Sequence, residues 1–125
     1  MSQIQTCSQR DMKTAAERVN TIKGKSWAKI YGGLCHSFPV LVHTIGLAQA
    51  LAFHQSKAAG EGDRAQAHQQ LLDDVKTVIG TGFDPASAPL TEYLRATRQV
   101  LAAWVFFKRF AVSVLKAEVN DGKES

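Results

Sequence analysis

The spacing of the apolar residues is the feature that most constrains how this chain of 125 residues can fold. No segment alternates apolar and polar residues over the length of a strand. Apolar residues instead recur at intervals of three and four, which places them on one face of an α-helix. Prolines, which interrupt helices, occur only at Pro39, Pro85 and Pro89. The sequence therefore predicts an all-α fold, a single compact bundle of about five helices with a long C-terminal helix.

Capping residues and helix-stopping residues predict the first two helices. One helix begins near Ser8, with Asp11 as its capping-box partner, and stops at Gly24. The next begins at Ser26 and ends at Pro39, because a proline cannot continue the hydrogen bonding of a helix. Both segments have an apolar stripe, so we expect each to bury one face in the bundle.

A third helix is predicted from Pro39 to Ala58, since proline suits the first turn of a helix. Most of its circumference is apolar, and we expect it to be buried on those sides. Glycine in a helix interior costs about 1 kcal/mol relative to alanine, so we expect another backbone to approach Gly46 closely. The arc that is left over consists of His43, Gly46, Ala50, His54 and Lys57.

The remainder of the chain contains a fourth helix and the long last one. Asp63 is predicted to cap the fourth helix, which ends at Gly80. The chain length is that of one domain, so we expect a single helical domain over residues 1–125. Its ends are expected to be frayed at about 1–7 and 119–125.

No segment is typical of export or of a membrane protein. The amino terminus lacks the apolar run of a signal peptide. The longest apolar run, Val100 to Phe107, is far shorter than the roughly 20 residues that span a bilayer. We therefore expect a cytoplasmic protein without membrane contact, in which Cys7 and Cys35 remain reduced.

No group of residues has the spacing that a catalytic or metal site requires. His43 and His54 lie about 16 Å apart along one helix, too far to bind a single ion. Cys35 and His36 are sequence neighbours, so on a helix they diverge, and Cys35 is expected to be a small core residue. His68 is expected on the solvated surface. We therefore predict a protein that is not an enzyme and that binds neither a metal ion nor a cofactor.

Charge is segregated along the chain. The net charge is +5 over residues 1–60, −4 over 61–92 and +3 over 93–125. Such segregation suggests one surface for a polyanion and another for a second partner, although chance clustering on a solvated surface is the alternative. The acidic side chains are expected to attract the basic ends of a neighbouring copy, head to tail. They are Glu61, Asp63, Asp73 and Asp74.

The last helix, predicted from about Leu90 to Glu118, has a basic stripe. At about 100° per residue its large apolar side chains cover more than half the circumference. The remaining arc contains cations and small residues but no acid, and such a stripe can follow a phosphate backbone without reading bases. A plain solvated face is the alternative. The stripe consists of Arg95, Arg98, Arg109 and Lys116.

Four lysines outside the stripe are also candidate contacts. Lys25, Lys29 and Lys57 are further cations for an RNA backbone. Lys108 falls within the apolar side of the last helix, where it either extends its ammonium group to solvent or meets a partner.

Two segments resemble the small-subunit family of the type III-B (Cmr) CRISPR effector complex. The stretch "YGGLCHSFPVLVHTIGLAQALAFHQSK" is similar to a region of that family with spaced Tyr, Pro, Gly-Leu, Leu-Ala-Phe and Ser-Lys residues. The stretch "LTEYLRATRQVLAAWVFFKRFAVSVLKAE" resembles its C-terminal helix. Together they cover about half of the chain, whereas residues 59–89 match nothing. The matching positions are Tyr31, Pro39, Gly46, Leu47, Phe53, Lys57, Tyr93, Lys108 and Arg109.

The resemblance implies a helical protein without catalytic activity that takes part in antiviral defence. Its implied partners are the other Cmr subunits, the guide RNA, the target RNA and neighbouring copies stacked head to tail. Lys57 and Arg109 suit phosphate contacts. Most other matching positions are structural: Pro39 opens a helix, Gly46 allows close packing, and Phe53 fills the core or an interface.

Two other functions are weighed against this one. A DNA-binding domain would need a polar recognition helix, and the third helix is too apolar to enter a groove of DNA. A helical protein–protein adaptor without nucleic-acid binding would associate with its partners without a steep dependence on salt.

Overall fold

The computed structural model of the chain describes residues 6–115, which form five α-helices and no strand. The predicted all-α class and long last helix are confirmed. At 26 residues the last helix is the longest, about 39 Å at about 1.5 Å per residue. Its predicted extension to Glu118 lies outside the described residues. The helices are α1 (Cys7–Ile22), α2 (Ala28–Ile45), α3 (Leu47–Ala58), α4 (Asp63–Ile79) and α5 (Leu90–Leu115).

Thr6 caps α1, so the prediction that Ser8 and Asp11 form its cap is wrong. The Thr6 hydroxyl accepts a hydrogen bond from the Gln9 N–H at 3.0 Å, and the Gln9 side chain accepts one from the Thr6 N–H at 2.8 Å. These reciprocal bonds satisfy two N–H groups that a helix start leaves unpaired. Of the ends expected to be frayed, Thr6 is the cap and Cys7 the first residue of α1, and the rest lies outside the described residues.

The break between α2 and α3 lies at Gly46, not at Pro39. Pro39 is inside α2, so the prediction that it ends one helix and opens the next is wrong. An interior proline costs about 3 kcal/mol. Phe38 and Val42, on either side of it, are buried, and this packing offsets the lost hydrogen bond. At Gly46 the backbone has φ +88° and ψ 160°, a conformation available essentially to glycine alone.

Two further boundaries differ in detail from the predicted ones. The first helical residue of α2 is Ala28, and Ser26 lies in the connection before it. The fourth helix begins at Asp63 and is followed by Gly80, as predicted. However, Asp63 does not cap this helix, because its carboxylate instead accepts a hydrogen bond of 2.9 Å from the Ser26 hydroxyl.

The core lies between α5 and the faces of α1, α2 and α4 that pack against it. Trp104 and Phe107 of α5 are fully buried and stack with their ring centroids 4.2 Å apart. Phe38 of α2 packs on Trp104 at 5.1 Å. Cys35 is fully buried beside them, as expected of a small core residue, and burial raises the pKa of its thiol. The fold thus leaves the outer side of α5, and the region where α3 joins α4, on the surface.

A buried carboxylate joins three helices. Asp74 of α4 is fully buried and accepts hydrogen bonds from Arg18 Nε of α1 at 2.7 Å, from Gln70 Nε2 at 2.9 Å and from the Tyr31 hydroxyl of α2. Burial raises the pKa of Asp74, and the hydrogen bonds from Tyr31 and Arg18 offset this in part. Burial also raises the pKa of Tyr31. The prediction that Asp74 belongs to an exposed acidic surface is therefore wrong.

A candidate nucleic-acid interface

Three of the four predicted stripe cations lie on the outer side of α5. Arg95, Arg98 and Arg109 are all exposed, as is Ala102, the small residue between them. Arg95 and Arg109 are separated by about 21 Å along the axis at about 1.5 Å per residue. Lys116 lies outside the described residues.

The surroundings of these arginines are not wholly free of acid. Arg95 Nη2 lies 3.8 Å from Glu92 Oε2, and both side chains are more than half exposed, so this ion pair stabilises little. Glu92 is therefore within reach of the stripe at its Arg95 end. The Arg109 guanidinium lies over the Phe106 ring, 5.8 Å from its centroid. Within residues 6–115, neither Arg98 nor Arg109 has a carboxylate within ion-pair distance.

An apolar strip runs beside the arginines on α5. Leu94, Val105 and Val112 are 45%, 53% and 39% exposed, although the sequence predicted them on the covered side of the helix. The buried arc of the helix is centred on Val100 and Ala111, and it is narrower than the arc that the apolar residues span. The outer side of α5 therefore presents arginines along one edge and aliphatic side chains along the other.

A second basic region is a groove bounded by α2, α3, α4 and α5, with a volume of about 780 Å³. No carboxylate of the described part of the chain lines it, and its exposed aromatic side chain is Phe53. Lys57 and Lys108, which the resemblance singled out, both lie on this groove. Its ionisable side chains are Lys57, Arg64, Lys108, His36, His54 and His68.

Two histidines form a buried pair beneath the groove. His54 of α3 and His68 of α4 are 1% and 3% exposed. Their Nδ1 atoms lie 2.8 Å apart, so one ring donates a hydrogen bond to the other. The prediction that His68 is solvated is therefore wrong. Burial, followed by the charge of His68, lowers the pKa of His54 to about 4. Burial, followed by the charges of Arg64 and Lys57, also lowers the pKa of His68.

Phe53 covers the histidine pair and remains 42% exposed, so it does not fill the core as one reading of the resemblance predicted. Its ring meets His54 edge-on at 5.2 Å and His68 at 6.1 Å between centroids. Lys57 Nζ lies over the same ring, 5.6 Å from its centroid. A cation and an accessible aromatic face therefore stand side by side at the edge of the groove.

The two segments that carry the resemblance meet at Gly46. The Tyr93 hydroxyl of α5 accepts a hydrogen bond of 2.9 Å from the N–H of Ala48, in the first turn of α3. A Cβ atom at position 46 would lie 3.4 Å from this hydroxyl oxygen. The expected close approach to Gly46 thus comes from a tyrosine side chain, and the prediction of a neighbouring backbone is wrong.

The other candidate cations, Lys25 and Lys29, are on the surface. Lys25 lies in the connection between α1 and α2, and Lys29 lies in the first turn of α2. Both are exposed.

Across residues 6–115 the histidine, cysteine and acidic side chains do not gather in groups of three or more that could hold a metal ion. None of the described helices is long and apolar enough to cross a bilayer.

Comparison with known proteins agrees with this architecture. Residues 7–114 match the model of a family of CRISPR-associated proteins, Cas_Cmr5. A protein of Thermus thermophilus named as CRISPR system Cmr subunit Cmr5 is 36% identical over 120 residues, covering 90% of this chain and 99% of that one. A crystal structure of a CRISPR-associated Cmr5 family protein from the same organism superposes with a TM-score of 0.78, 36% identity and the same coverage. This chain therefore belongs to the Cmr5 family of CRISPR-associated proteins.

Proposed function

We propose that this protein is the non-catalytic small subunit of a type III-B CRISPR RNA-guided effector complex. In this proposal its partners are the other Cmr subunits, the guide and target RNA, and copies of itself stacked head to tail. Membership of the Cmr5 family supports the assignment, since the Thermus relative is named as a subunit of a CRISPR Cmr system. The protein then acts in the cytoplasm, where such a complex meets invading RNA.

The exposed arginines of α5 carry the RNA-binding part of the proposal. Arg98 and Arg109 project from one helix face and, among the described residues, have no carboxylate partner to neutralise them. Guanidinium groups in this state bind phosphate oxygens by charge and hydrogen bonding. Such contacts position a protein on RNA without reading its sequence.

The state of the ionisable side chains favours a non-catalytic role. Asp74 is held by Arg18 and Tyr31 in the interior, and burial raises the pKa of Cys35, so its thiol is a poor nucleophile. His54 and His68 hydrogen-bond to each other, and none of the carboxylates that the structure describes lines the groove above them. General acid–base chemistry usually pairs such groups with a positioned partner.

The test is to add back an Arg95→Ala, Arg98→Ala, Arg109→Ala variant to a complex that lacks this subunit, and to measure RNA affinity at several salt concentrations. Each phosphate contact releases about 0.7–0.9 counterions, so the salt dependence should flatten by about 2–3 units, equally for every target sequence. The control variant removes Arg10, Lys13 and Lys76, three exposed cations on α1 and α4.

A triple variant that incorporates normally and leaves the salt dependence unchanged would contradict RNA binding by α5. If parent and variant complexes then also assemble independently of salt, a protein–protein adaptor without nucleic-acid binding becomes the better assignment. In that case the aliphatic strip of Leu94, Val105 and Val112 is the surface to change next.

A further inference from the structure

We propose that the groove above the histidine pair binds one unpaired nucleotide, with its base against Phe53 and its phosphate between Lys57 and Arg64. This inference deepens the proposed function, and it rests on that function for the premise that the nucleotide belongs to an RNA. The groove is separate from the arginine stripe of α5, because its lining comes mainly from α2, α3 and α4.

The charge of the groove selects an anion. Among residues 6–115, three cations line it and no acidic residue does. Lys57 lies in the last turn of α3 and Arg64 in the first turn of α4, so both cations line the groove near the connection between these helices. No described carboxylate forms an ion pair with either of them. A phosphate group placed there would meet two unpaired cations at once.

The shape and the aromatic side chain select a nucleotide over a bare anion. A volume of about 780 Å³ lies within the range of small-ligand sites, about 300–1,000 Å³. The Phe53 ring is 42% exposed, and Lys57 Nζ lies 5.6 Å from its centroid. A base packed on this ring therefore brings its own phosphate to the ammonium group. Aromatic stacking of this kind accepts any base.

The histidine pair supplies an observation independent of charge. His54 is 1% exposed, and its Nε2 has no hydrogen-bond partner among residues 6–115. His36, which lines the same groove, also has an unpaired buried nitrogen, Nδ1. Buried polar atoms without a partner are uncommon and destabilising. Both residues line the groove, so a nucleotide bound there is a candidate hydrogen-bonding partner for these nitrogens.

The four histidines of the chain provide the probe. Three of them line the groove, and His43 does not. The full-length protein is titrated with uridine monophosphate, a short oligouridylate or inorganic phosphate, while the imidazole nitrogens are followed by NMR. The nucleotide and the RNA should shift the signals of His54 and His68 in a saturable way and leave those of His43 in place. The bound phosphate should also raise the pKa of both paired histidines.

Two groove variants and one control identify the contacts. Lys57→Gln with Arg64→Gln should abolish the histidine response, and Phe53→Leu should weaken nucleotide binding by about 5-fold or more through the loss of stacking. Phe53→Leu keeps an apolar cover over the pair, and a melting curve confirms that each variant folds. The control, Arg10→Gln with Lys13→Gln, removes two exposed cations of α1 outside both basic regions and should leave the histidine response unchanged.

Three outcomes overturn the proposal. One is no response of His54 and His68 to the mononucleotide or to the RNA. Another is an equal response to inorganic phosphate, which would make the groove an anion site only. The third is a stronger response to an acidic peptide, which would assign the groove to a protein partner. Failure of the α5 experiment leaves the histidine response intact, so the two proposals fail separately. If the mononucleotide binds and the RNA does not, the groove is still a nucleotide site, but RNA is not the source of that nucleotide.

Discussion

Asp74 accepts hydrogen bonds from side chains of α1, α2 and α4 in the interior of the bundle. The sequence offers one indication of this position. Leu71 and Val78, three residues before and four residues after Asp74, pack in or against the core, whereas the adjacent Asp73 points about 100° away. Composition alone treats the two aspartates as one acidic pair. Only the arrangement of three helices reveals that Arg18 and Tyr31 meet the second of them.

Asp74→Asn should destabilise the protein by about 3 kcal/mol, since it removes the charge that offsets Arg18 and leaves a poorer set of acceptors in the interior. The matched control is Asp73→Asn. The Asp73 side chain accepts one exposed hydrogen bond, from Gln69 at 3.0 Å, and its replacement should change stability by no more than about 0.5 kcal/mol. Urea denaturation of both variants measures the difference. Equal effects would mean that the buried network does not stabilise the fold.

The histidine pair predicts that stability falls in mild acid. A histidine whose pKa is lowered by folding binds its proton more readily in the unfolded chain. The pKa of His54 falls from 6.5 to about 4, so stability is fully present above about pH 6.5 and is lost as the pH falls towards 4. We expect a loss of about 1–3 kcal/mol between about pH 7 and pH 4.5.

Unfolding measured across this pH range in two variants isolates the effect. His68→Gln removes one member of the pair and should flatten the pH dependence. His43→Gln, on the exposed side of α2, should leave it as in the parent. The raised pKa of Asp74 acts with the opposite sign, but it is common to all three proteins. A pH dependence that survives His68→Gln unchanged would show that the pair does not titrate with folding.

At the scale of the helices, most elements but not all of their boundaries could be predicted from the sequence. The start of α4 at Asp63 and the break at Gly80 follow from local residues. The break between α2 and α3 does not. Local propensity favours Pro39 as the boundary, but the burial of Phe38 keeps α2 continuous, and the chain turns at Gly46 instead. Tertiary packing therefore overrides the strongest local breaker in the chain.

Gly46→Ala should destabilise the protein by about 1–3 kcal/mol, because its backbone conformation is strained for any residue with a Cβ atom. The added methyl group would also be in van der Waals contact with the Tyr93 hydroxyl at 3.4 Å. Gly33→Ala is the matched control: Gly33 lies inside α2, is exposed and has open space where a Cβ would lie. Alanine there should stabilise the helix by about 0.5–1 kcal/mol. Chemical denaturation should move the two variants in opposite directions, and a neutral Gly46→Ala would refute the role of this junction.

At the scale of the whole molecule, the two basic regions differ in how far the sequence could predict them. The exposed arginines of α5 follow from the geometry of a single helix. The groove does not, because its lining comes from four helices and depends on the turn at Gly46. In the single continuous helix that the sequence predicted, His54 and His43 lie on the same arc of the circumference. After the turn His54 faces α4 and is buried, whereas His43 stays exposed.

The proposed head-to-tail stacking implies weak self-association of the isolated protein. Stacked copies need two different faces, so the contact does not close on itself and the chain of copies can grow. The buried position of Asp74 removes one of the four acids expected to drive this attraction, and Asp63 is hydrogen-bonded to Ser26, beside Lys25. Of these four acids, Glu61 and Asp73 therefore remain to attract a neighbouring copy. We expect a monomer at low concentration in salt.

Sedimentation at rising concentration, in low and in high salt, tests this expectation. The mean mass should rise gradually at low salt and stay near 13.6 kDa at high salt, because charge attraction between copies is screened. Replacing the surface acids Glu61 and Asp73 with lysine should suppress the rise. Glu17→Lys, an exposed acid of α1 outside the acidic segment, is the control and should not. A dimer whose mass is constant across concentration and salt would instead indicate one face that pairs with itself, and would contradict stacking.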